Sequence, residues 1–344
     1  MDTLTHALSG ALLARATVSR HAPARSIPRR IAAGFFACAA PDLDFVIGFA
    51  GPVEYLELHR GPTHSFLLLP FWALLFSWIL AKILRHPGGW RALYGVTAMG
   101  IALHIAGDLI TSFGTMIFWP LSDMRPGLGT TFIIDLWLSG IIVLGLFFSV
   151  VFRKVKTPAI AACIALVAYV SFQYLEKQKA LEFARDYARS RGLPDASVAA
   201  HPRAVSPFNW TVFVSDEREH HFAHVNLVRE SPRSYAPGDG FVAKLDAAFQ
   251  PLAMARWQTR SRYGEGGAGQ DAWNSPPLGF MRWFADQPAL DGKTQNPECY
   301  WFIDLRFVNP GRDWVPFQFG ACREGPDKSW RAYERGDPAH PVRN

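Results

Sequence analysis

The chain has 344 residues, of which 49% are hydrophobic and 19% are charged, and its formal net charge is +6. This length allows two domains, and the modest positive charge, which forms no basic arm, argues against a nucleic-acid-binding protein. The composition changes near Tyr174, where long apolar runs give way to a polar part rich in Pro, Gly and Trp. We therefore predict a membrane-embedded helical domain over residues 1–175 and a soluble, extracytoplasmic domain over residues 176–344.

The first domain contains several membrane-grade segments. The chain opens with a short apolar helix over 4–18, for which Asp2 or Thr3 is the expected N-cap. A second segment, 31–49, is interrupted by Pro41-Asp42-Leu43-Asp44, which predicts an irregular polar turn lined by protein or water. A spanning helix needs about 20 predominantly apolar residues. Four later segments meet this requirement: 66–84, 92–112, 132–152 and 158–175.

Lys and Arg in short loops indicate which ends of these helices face the cytoplasm. Basic residues occupy 15–30, flank the connection near 82–91 and fill 153–156, whereas the loop 113–131 has one Arg and one Asp. The basic loops are therefore predicted to be cytoplasmic and the 113–131 loop external. This arrangement places the ionisable residues discussed next near the outer surface.

Seven side chains of metal-ligating type lie within or at the edges of the apolar segments. Ionisable groups in a bilayer are expensive to desolvate, so they indicate a functional site, and imidazoles and carboxylates are ligands for zinc or manganese. The predicted ligands of a two-ion site, with zinc first and manganese as the alternative, are His6, Asp42, Asp44, His59, His64, His104 and Asp108.

Two pairs have telling spacings. His104 and Asp108 are four residues apart, so on a helix they share one face and can bind one ion, or the carboxylate can orient the imidazole. The alternative is a polar pair that joins helices in lipid. Asp42 and Asp44 carry like charges in an apolar setting, which a divalent cation would neutralise; a turn or N-cap role for one of them is the alternative.

Other residues are expected to assist. Gly61-Pro62 forces a turn that lets His59 and His64 converge, and Arg60 between them suits an anion such as phosphate, unless these residues merely extend to the membrane interface. On its own, His6 would be interpreted as a structural residue, and only the presence of the other candidate ligands favours its interpretation as a metal ligand. Asp135 is an isolated acid in an apolar run, and it can be a further ligand, a partner of a ligand histidine or a general base.

The polar C-terminal part predicts strands. The segments 210–215, 222–228, 300–308 and 316–322 suggest a small antiparallel sheet, and His220, His221 and His224 are assigned to its solvated face. Cys299 and Cys322 can pair as a disulfide if this part is extracytoplasmic, whereas Cys38 and Cys163 are expected to be buried thiols.

Taken together and in order, the motifs resemble a known family. The matching pieces are Met1-Asp2-x-x-Thr5-His6-x-x-x-Gly10, Pro41-Asp42-x-Asp44, His59-Arg60-Gly61-x-Thr63-His64-Ser65, His104-x-x-x-Asp108 with Thr111-x-x-Gly114, and Ile134-Asp135. The first 140 or so residues resemble the YdjM-type family of membrane-bound, metal-dependent hydrolases, which is distantly similar to zinc-dependent phospholipases C.

The resemblance implies an all-α polytopic membrane helical bundle in the bacterial inner membrane, and the C-terminal composition adds an α+β or mainly-β soluble domain in the periplasm. The expected activity is hydrolysis of a phosphoester or lipid-like substrate by metal-activated water, with Asp42 or Asp44 bridging the ions, Asp135 as base and Arg60 holding an anion. The membrane lipid bilayer and the substrate are the expected partners. Two alternatives are an ion-binding transporter, although the sequence lacks repeat symmetry, and a non-catalytic anchor with a structural metal.

Overall fold

The computed structural model describes residues 1–236, 238–312, 314–325, 327–336 and 341–342. The chain divides into two compact units. Unit 1 consists of Met1–Val46, Leu58–Glu176 and Pro202–Pro207, and unit 2 consists of Ile47–Glu57, Lys177–His201 and Phe208–Asn344.

The N-terminal half of the chain is helical. Asp2 caps the first helix, where its Oδ1 accepts a hydrogen bond from the Thr5 N–H at 3.0 Å. A 3₁₀ segment, Ala40–Phe49, follows the second helix, in agreement with the irregular turn predicted there. The helices are α1 (Thr3–Ala16), α2 (Ile27–Ala39), α3 (Pro52–Leu58), α4 (Leu69–Ile83), α5 (Gly89–Leu109), α6 (Leu136–Val151) and α7 (Thr157–Ser190).

Three stretches within the described residues are long and apolar enough to cross a membrane, namely Ala24–Phe49, Gly89–Leu109 and Thr157–Ser190. The pair Pro52–His64 and Leu69–Ile83 makes a fourth if it counts as one span, and it is bent by 80°. The helices predicted over 92–112 and 158–175 are thus confirmed. Helices α4 and α6 have 15 and 16 residues and are shorter than predicted, because Pro70 and Asp135 set their first turns later in the chain.

Small residues let the helices of unit 1 pack closely. A Cβ atom on Gly10 would lie 2.2 Å from the carbonyl oxygen of Gly34, and one on Gly34 would lie 2.6 Å from that of Gly10, so only glycine fits at this crossing of α1 and α2. Gly100 of α5 packs against Ala37 in the same way. These contacts draw α1, α2 and α5 together.

The basic segments of unit 1 meet at one end of the helices. Arg15 donates hydrogen bonds to the carbonyl oxygens of Arg153 and Val155 at 2.8 and 2.7 Å. At the same end, Lys156 donates to the carbonyl oxygen of Val18 at 3.1 Å, and Arg29 donates to that of Leu84 at 3.1 Å. The loops that the charge pattern predicts to share one side of the membrane therefore do lie together.

Unit 2 is built on two sheets. The first has five strands in the order β1-β2-β3-β4, with β5 also paired to β3, and the second is an antiparallel sheet in the order β6-β7-β8-β9. The strands are β1 (Ser197–Pro202), β2 (Asn209–Ser215), β3 (Glu219–Asn226), β4 (Gln250–Pro251), β5 (Gln258–Ser261), β6 (Pro288–Gln295), β7 (Glu298–Asp304), β8 (Phe319–Arg323) and β9 (Arg331–Glu334). Short helices α8 (Phe241–Ala247), α9 (Ala268–Asn274) and α10 (Gly279–Phe284) complete the unit.

The four predicted strands are confirmed as β2, β3, β7 and β8, but the prediction of a single sheet is wrong, because they divide between two sheets. Cys299 and Cys322 lie opposite each other in β7 and β8 and form a disulfide, which the sequence left open. His220 corrects another prediction. It is 1% exposed, with its ring nitrogens at hydrogen-bond distance from Ser215 Oγ and the Pro288 carbonyl oxygen, so it does not lie on a solvated face.

Candidate metal centre

Four of the seven predicted ligands converge in unit 1. Asp42, His64, His104 and Asp108 each offer one donor atom, and these atoms all lie within 4.8 Å of one another. Helix α5 carries His104 and Asp108 one turn apart, the 3₁₀ turn Pro62–His64 carries His64, and the 3₁₀ segment after α2 carries Asp42. The side chains of His64, His104 and Asp108 are fully buried, and that of Asp42 is 13% exposed.

The imidazole of His104 is oriented by a backbone oxygen. Its Nδ1 lies 2.6 Å from the carbonyl oxygen of Cys38, which can only accept a hydrogen bond, so Nδ1 carries the proton. The Nε2 atom therefore presents a lone pair to the cluster. Ligand histidines in metal sites are commonly fixed in this manner through the nitrogen that does not bind the metal.

His64 is oriented similarly. The hydroxyl of Thr63 donates to Asp44 Oδ2 at 2.9 Å, and the Thr63 hydroxyl oxygen lies 2.9 Å from His64 Nδ1. Because the hydroxyl proton points to Asp44, His64 Nδ1 is the donor to the Thr63 oxygen. The Nε2 atoms of His64 and His104 then face each other at 2.9 Å. Two imidazole lone pairs at this separation repel unless a cation lies between or beside them.

Asp108 supplies the negative charge at the centre. Its Oδ1 contacts the guanidinium of Arg60 at 3.0 Å, His6 Nε2 at 3.1 Å and the amino group of Met1. Its Oδ2 is buried and, among the described residues, has no hydrogen-bond partner, although His64 Nε2 lies 3.1 Å away. An orphaned carboxylate oxygen beside two imidazole lone pairs is the arrangement that a cation completes.

The donor set fits a divalent ion. Donors placed 2.0 to 2.2 Å from one ion are at most about 4.4 Å apart, so sub-ångström shifts of side chains within the 4.8 Å group suffice. Two imidazole nitrogens and two carboxylate oxygens suit zinc, and manganese accepts the same donors. The four residues that would hold the ion are Asp42, His64, His104 and Asp108.

Asp44 and His59, both predicted as ligands, lie outside this group of four. Asp44 is buried, and its carboxylate accepts hydrogen bonds from the backbone N–H of Arg60 at 3.1 Å and from Thr63. It also lies 2.8 Å from His59 Nδ1 and 3.4 Å from His64 Nδ1. The structure thus places Asp44 behind the two histidines, where it orients their rings.

Arg60 is buried beside Asp108 instead of standing at an open surface. One guanidinium nitrogen contacts Asp108, another donates to Thr111 Oγ1 at 3.1 Å, and the group lies 4.9 Å from the centre of the Phe113 ring. The backbone of Arg60 has φ of +62°, a strained conformation for a side-chain-bearing residue. Two hydrogen bonds hold this conformation. The N–H of Arg60 donates to Asp44, and the carbonyl oxygen of Arg60 accepts from the N–H of Met116.

His6 lies beside the group of four and forms a second one. Its ring stacks on that of His104 with centroids 3.8 Å apart, and donor atoms of His6, Cys38 and His104 lie within 4.8 Å of one another. His6 Nδ1 is buried and has no hydrogen-bond partner in the described part of the chain. The two groups share His104, whose Nδ1 is bonded to the Cys38 carbonyl oxygen, so only its Nε2 is available to a metal. One nitrogen does not serve two ions, and the second predicted ion stays a prediction.

Asp135 has a different environment. It caps α6 by accepting hydrogen bonds from the N–H groups of Trp137 and Leu138, both at 2.9 Å. Tyr169 and Gln173 of α7 also donate to its carboxylate, at 3.0 and 2.8 Å. These four bonds give the residue a helix-capping role, and the structure does not bring it into the group of ligands.

Sequence reasoning missed the residues that orient the ligands. Thr63 links Asp44 to His64, Thr3 donates to Asp42 Oδ2 at 2.7 Å, and Cys38 contributes its backbone carbonyl. The threonines stand beside or among the ligand motifs, which is a usable signal. A backbone carbonyl has no signal in side-chain patterns.

Comparisons with known proteins find a family match for the helical part of the chain. The sequence profile of a family described as YdjM inner membrane protein matches residues 1–180. An uncharacterized protein of Bacillus subtilis (strain 168), YfhP, is 32% identical over 136 residues, which cover 38% of this chain and 40% of that protein. The match thus spans less than half of that relative. No solved structure matches the chain.

Proposed function

The chain belongs to the YdjM inner membrane protein family, and from that premise we propose that it is a membrane-bound, metal-dependent hydrolase whose substrate is a phosphoester, lipid-like in character. The observation that carries the proposal is the buried group of Asp42, His64, His104 and Asp108, in which two imidazole lone pairs and an orphaned carboxylate oxygen converge. A group of this kind is costly inside a membrane protein unless a cation compensates it.

A divalent ion bound there supplies Lewis acidity and activates water for hydrolysis. The chain's own residues prepare the site. Asp44 and the Cys38 carbonyl oxygen hold the rings of His64 and His104 so that Nε2 faces inward. Arg60, whose guanidinium pairs with Asp108 at the edge of this group, is the residue that would hold an anionic substrate group.

The surroundings of Asp42 support an amphiphilic substrate. Leu43, Phe45 and Val46 follow it on the same 3₁₀ segment, and these side chains are 56%, 55% and 50% exposed. Apolar side chains beside the least buried ligand provide a surface on which an acyl chain can pack. A lipid phosphoester satisfies both this surface and the metal group.

The proposal includes an outward-facing site and an extracytoplasmic unit 2. The basic segments of unit 1 meet at the end that carries the C-terminus of α1, whereas His6 and Asp42 lie near the opposite ends of α1 and α2. From the positive-inside rule we expect the metal group to lie toward the exterior. The Cys299–Cys322 disulfide agrees with an oxidising compartment for unit 2. Alkylation of thiols in intact cells, before and after reduction, tests this topology.

The activity is tested with purified protein in detergent. Zinc-loaded wild type is assayed on a soluble phosphodiester and on phospholipid vesicles, before and after chelation, beside His104→Ala and Asp42→Ala. The exposed Asp123→Asn, which removes the same charge as Asp42→Ala, is the matched control. We expect turnover that chelation abolishes, that zinc restores and that only the control variant retains.

Bound metal without turnover on phosphoesters would instead support the non-catalytic anchor, in which the ion is structural. Turnover that is indifferent to both ligand substitutions would overturn the assignment of the site.

A further inference from the structure

Unit 2 carries another group of metal-ligating side chains, at the hairpin that joins β2 to β3. Asp216, Glu219 and His221 each offer a donor atom, and these three atoms lie within 4.8 Å of one another. All three residues are partly buried. The hairpin lies outside residues 1–180, to which the family match is confined.

The imidazole of His221 is oriented toward the acids. Its Nδ1 lies 3.0 Å from the hydroxyl of Thr259 on β5, and its Nε2 lies 3.0 Å from Glu219 Oε1. The ring of Tyr187 lies beside it with centroids 5.9 Å apart, and Tyr187 is itself stacked on Trp257 at 3.6 Å. Packing and the Thr259 contact thus restrict the ring, as neighbours of ligand histidines do in metal sites.

The carboxylate of Asp216 is also held in place, by backbone N–H groups of the hairpin. Its Oδ1 accepts hydrogen bonds from the N–H groups of Arg218 and Glu219 at 2.7 and 2.8 Å. These two bonds fix the position of the Asp216 carboxylate at the hairpin. An ionised carboxylate with fixed geometry needs little reorganisation to bind a cation.

The hairpin borders an open cleft of about 500 Å³. Asp216 lines this cleft, with Glu217 beside it and with Asp195 and Arg262. An ion held by the hairpin would therefore lie at the edge of a space large enough for a small molecule. Three protein donors leave at least one coordination position for water or for such a molecule.

We propose that Asp216, Glu219 and His221 form a second metal site, which binds a divalent transition ion of the zinc type. One imidazole nitrogen and two carboxylate oxygens are donors for zinc, and copper and nickel accept them as well. The site is independent of the metal group in unit 1, since the two share none of their ligands. His224 on the same strand is a natural control, because its Nδ1 pairs with Thr211 and it lies outside the three-residue group.

The test is zinc binding by the full-length protein in detergent. In an Asp42→Ala/His104→Ala background, which removes the unit 1 group, we expect one zinc ion per chain. The affinity should fall at least tenfold with His221→Ala and stay unchanged with His224→Ala. Residual binding that His221→Ala leaves intact, or that His224→Ala weakens equally, would overturn the proposal.

A second measurement needs no substitution. Carbethoxylation of histidines in the wild type, resolved residue by residue by mass spectrometry, should be slower at His221 when zinc is present and unchanged at His224. Equal rates at His221 with and without zinc would contradict the site. If the unit 1 group binds no metal, His104→Ala alone will leave the zinc content unchanged. The failure of the unit 1 proposal is therefore distinguishable from the failure of this one.

Discussion

The substitution Asp44→Asn tests whether Asp44 binds the metal itself or orients the histidines that bind it. The carboxylate lies 2.8 Å from His59 Nδ1 and accepts from the Arg60 N–H and the Thr63 hydroxyl, and it lies 3.4 Å from His64 Nδ1. The amide keeps the shape of the side chain but replaces one acceptor oxygen with a donor. Depending on which oxygen is replaced, either the amide faces His59 as a donor or the pair of bonds accepted from Arg60 and Thr63 is lost.

The magnitude follows from this geometry. Loss of a partner that orients a ligand histidine typically weakens metal binding 10- to 100-fold, or about 1.4 to 2.7 kcal/mol. We therefore expect Asp44→Asn to bind the same number of zinc ions as wild type in unit 1, but 10- to 100-fold more weakly. His104→Ala should remove the ion from that site altogether.

The assay is competition for zinc with a chromophoric chelator, with Asp123→Asn as the control for loss of one negative charge. An affinity equal to wild type would refute the orienting role of Asp44. Loss of stoichiometry equal to that of His104→Ala would instead make Asp44 a ligand, as the sequence predicts.

Three further predictions concern stability. Gly34→Ala places a Cβ 2.6 Å from both the Ala14 Cβ and the Gly10 carbonyl oxygen, so we expect the free energy of unfolding to fall by about 1–3 kcal/mol, whereas Gly95→Ala, whose Cβ would meet nothing within 4 Å, should not lower the melting temperature. Burial lowers the pKa of His220 below its ordinary 6.5, so below about pH 6.5 the unfolded chain takes up a proton that the folded chain refuses. Thermal unfolding should therefore show stability falling from pH 7 towards about pH 5, with a shallower fall in His220→Gln; equal slopes would contradict this reasoning. Replacing both Cys299 and Cys322 by Ala removes a cross-link between residues 23 apart and should lower unfolding stability by about 3 kcal/mol, and an unchanged melting temperature on reduction would refute that role.

The ligand types could be read from the sequence because ionisable residues are conspicuous in apolar runs. His104 and Asp108 share a helix face, as their spacing predicts, and the Pro41-Asp42 break does produce an irregular segment. The division of roles could not be read. Asp42 and Asp44 look alike in sequence, and only the fold shows that Asp44 faces Thr63 and the outer nitrogens of the histidines.

The roles of Asp135 and His220 could not be predicted, because they depend on where elements begin and on what covers them. Asp135 is an acid at the edge of an apolar run, and whether such a residue caps a helix or enters a site depends on where the helix begins. His220 follows an alternating pattern that predicts one solvated face. Its strand pairs with β2, which is buried along its entire length, and the sheet is covered where His220 contacts Pro288. Such covering by distant strands has no local sequence signal.

Zinc K-edge X-ray absorption tests the central claim most directly. The measurement uses zinc-loaded protein carrying His221→Ala, so that the hairpin group of unit 2 does not contribute. We predict a first shell of nitrogen and oxygen donors with the outer-shell scattering of two imidazoles, which falls to one imidazole or to none when His64→Ala is added. Absence of zinc, or a spectrum that His64→Ala leaves unchanged, would contradict a metal centre built from Asp42, His64, His104 and Asp108.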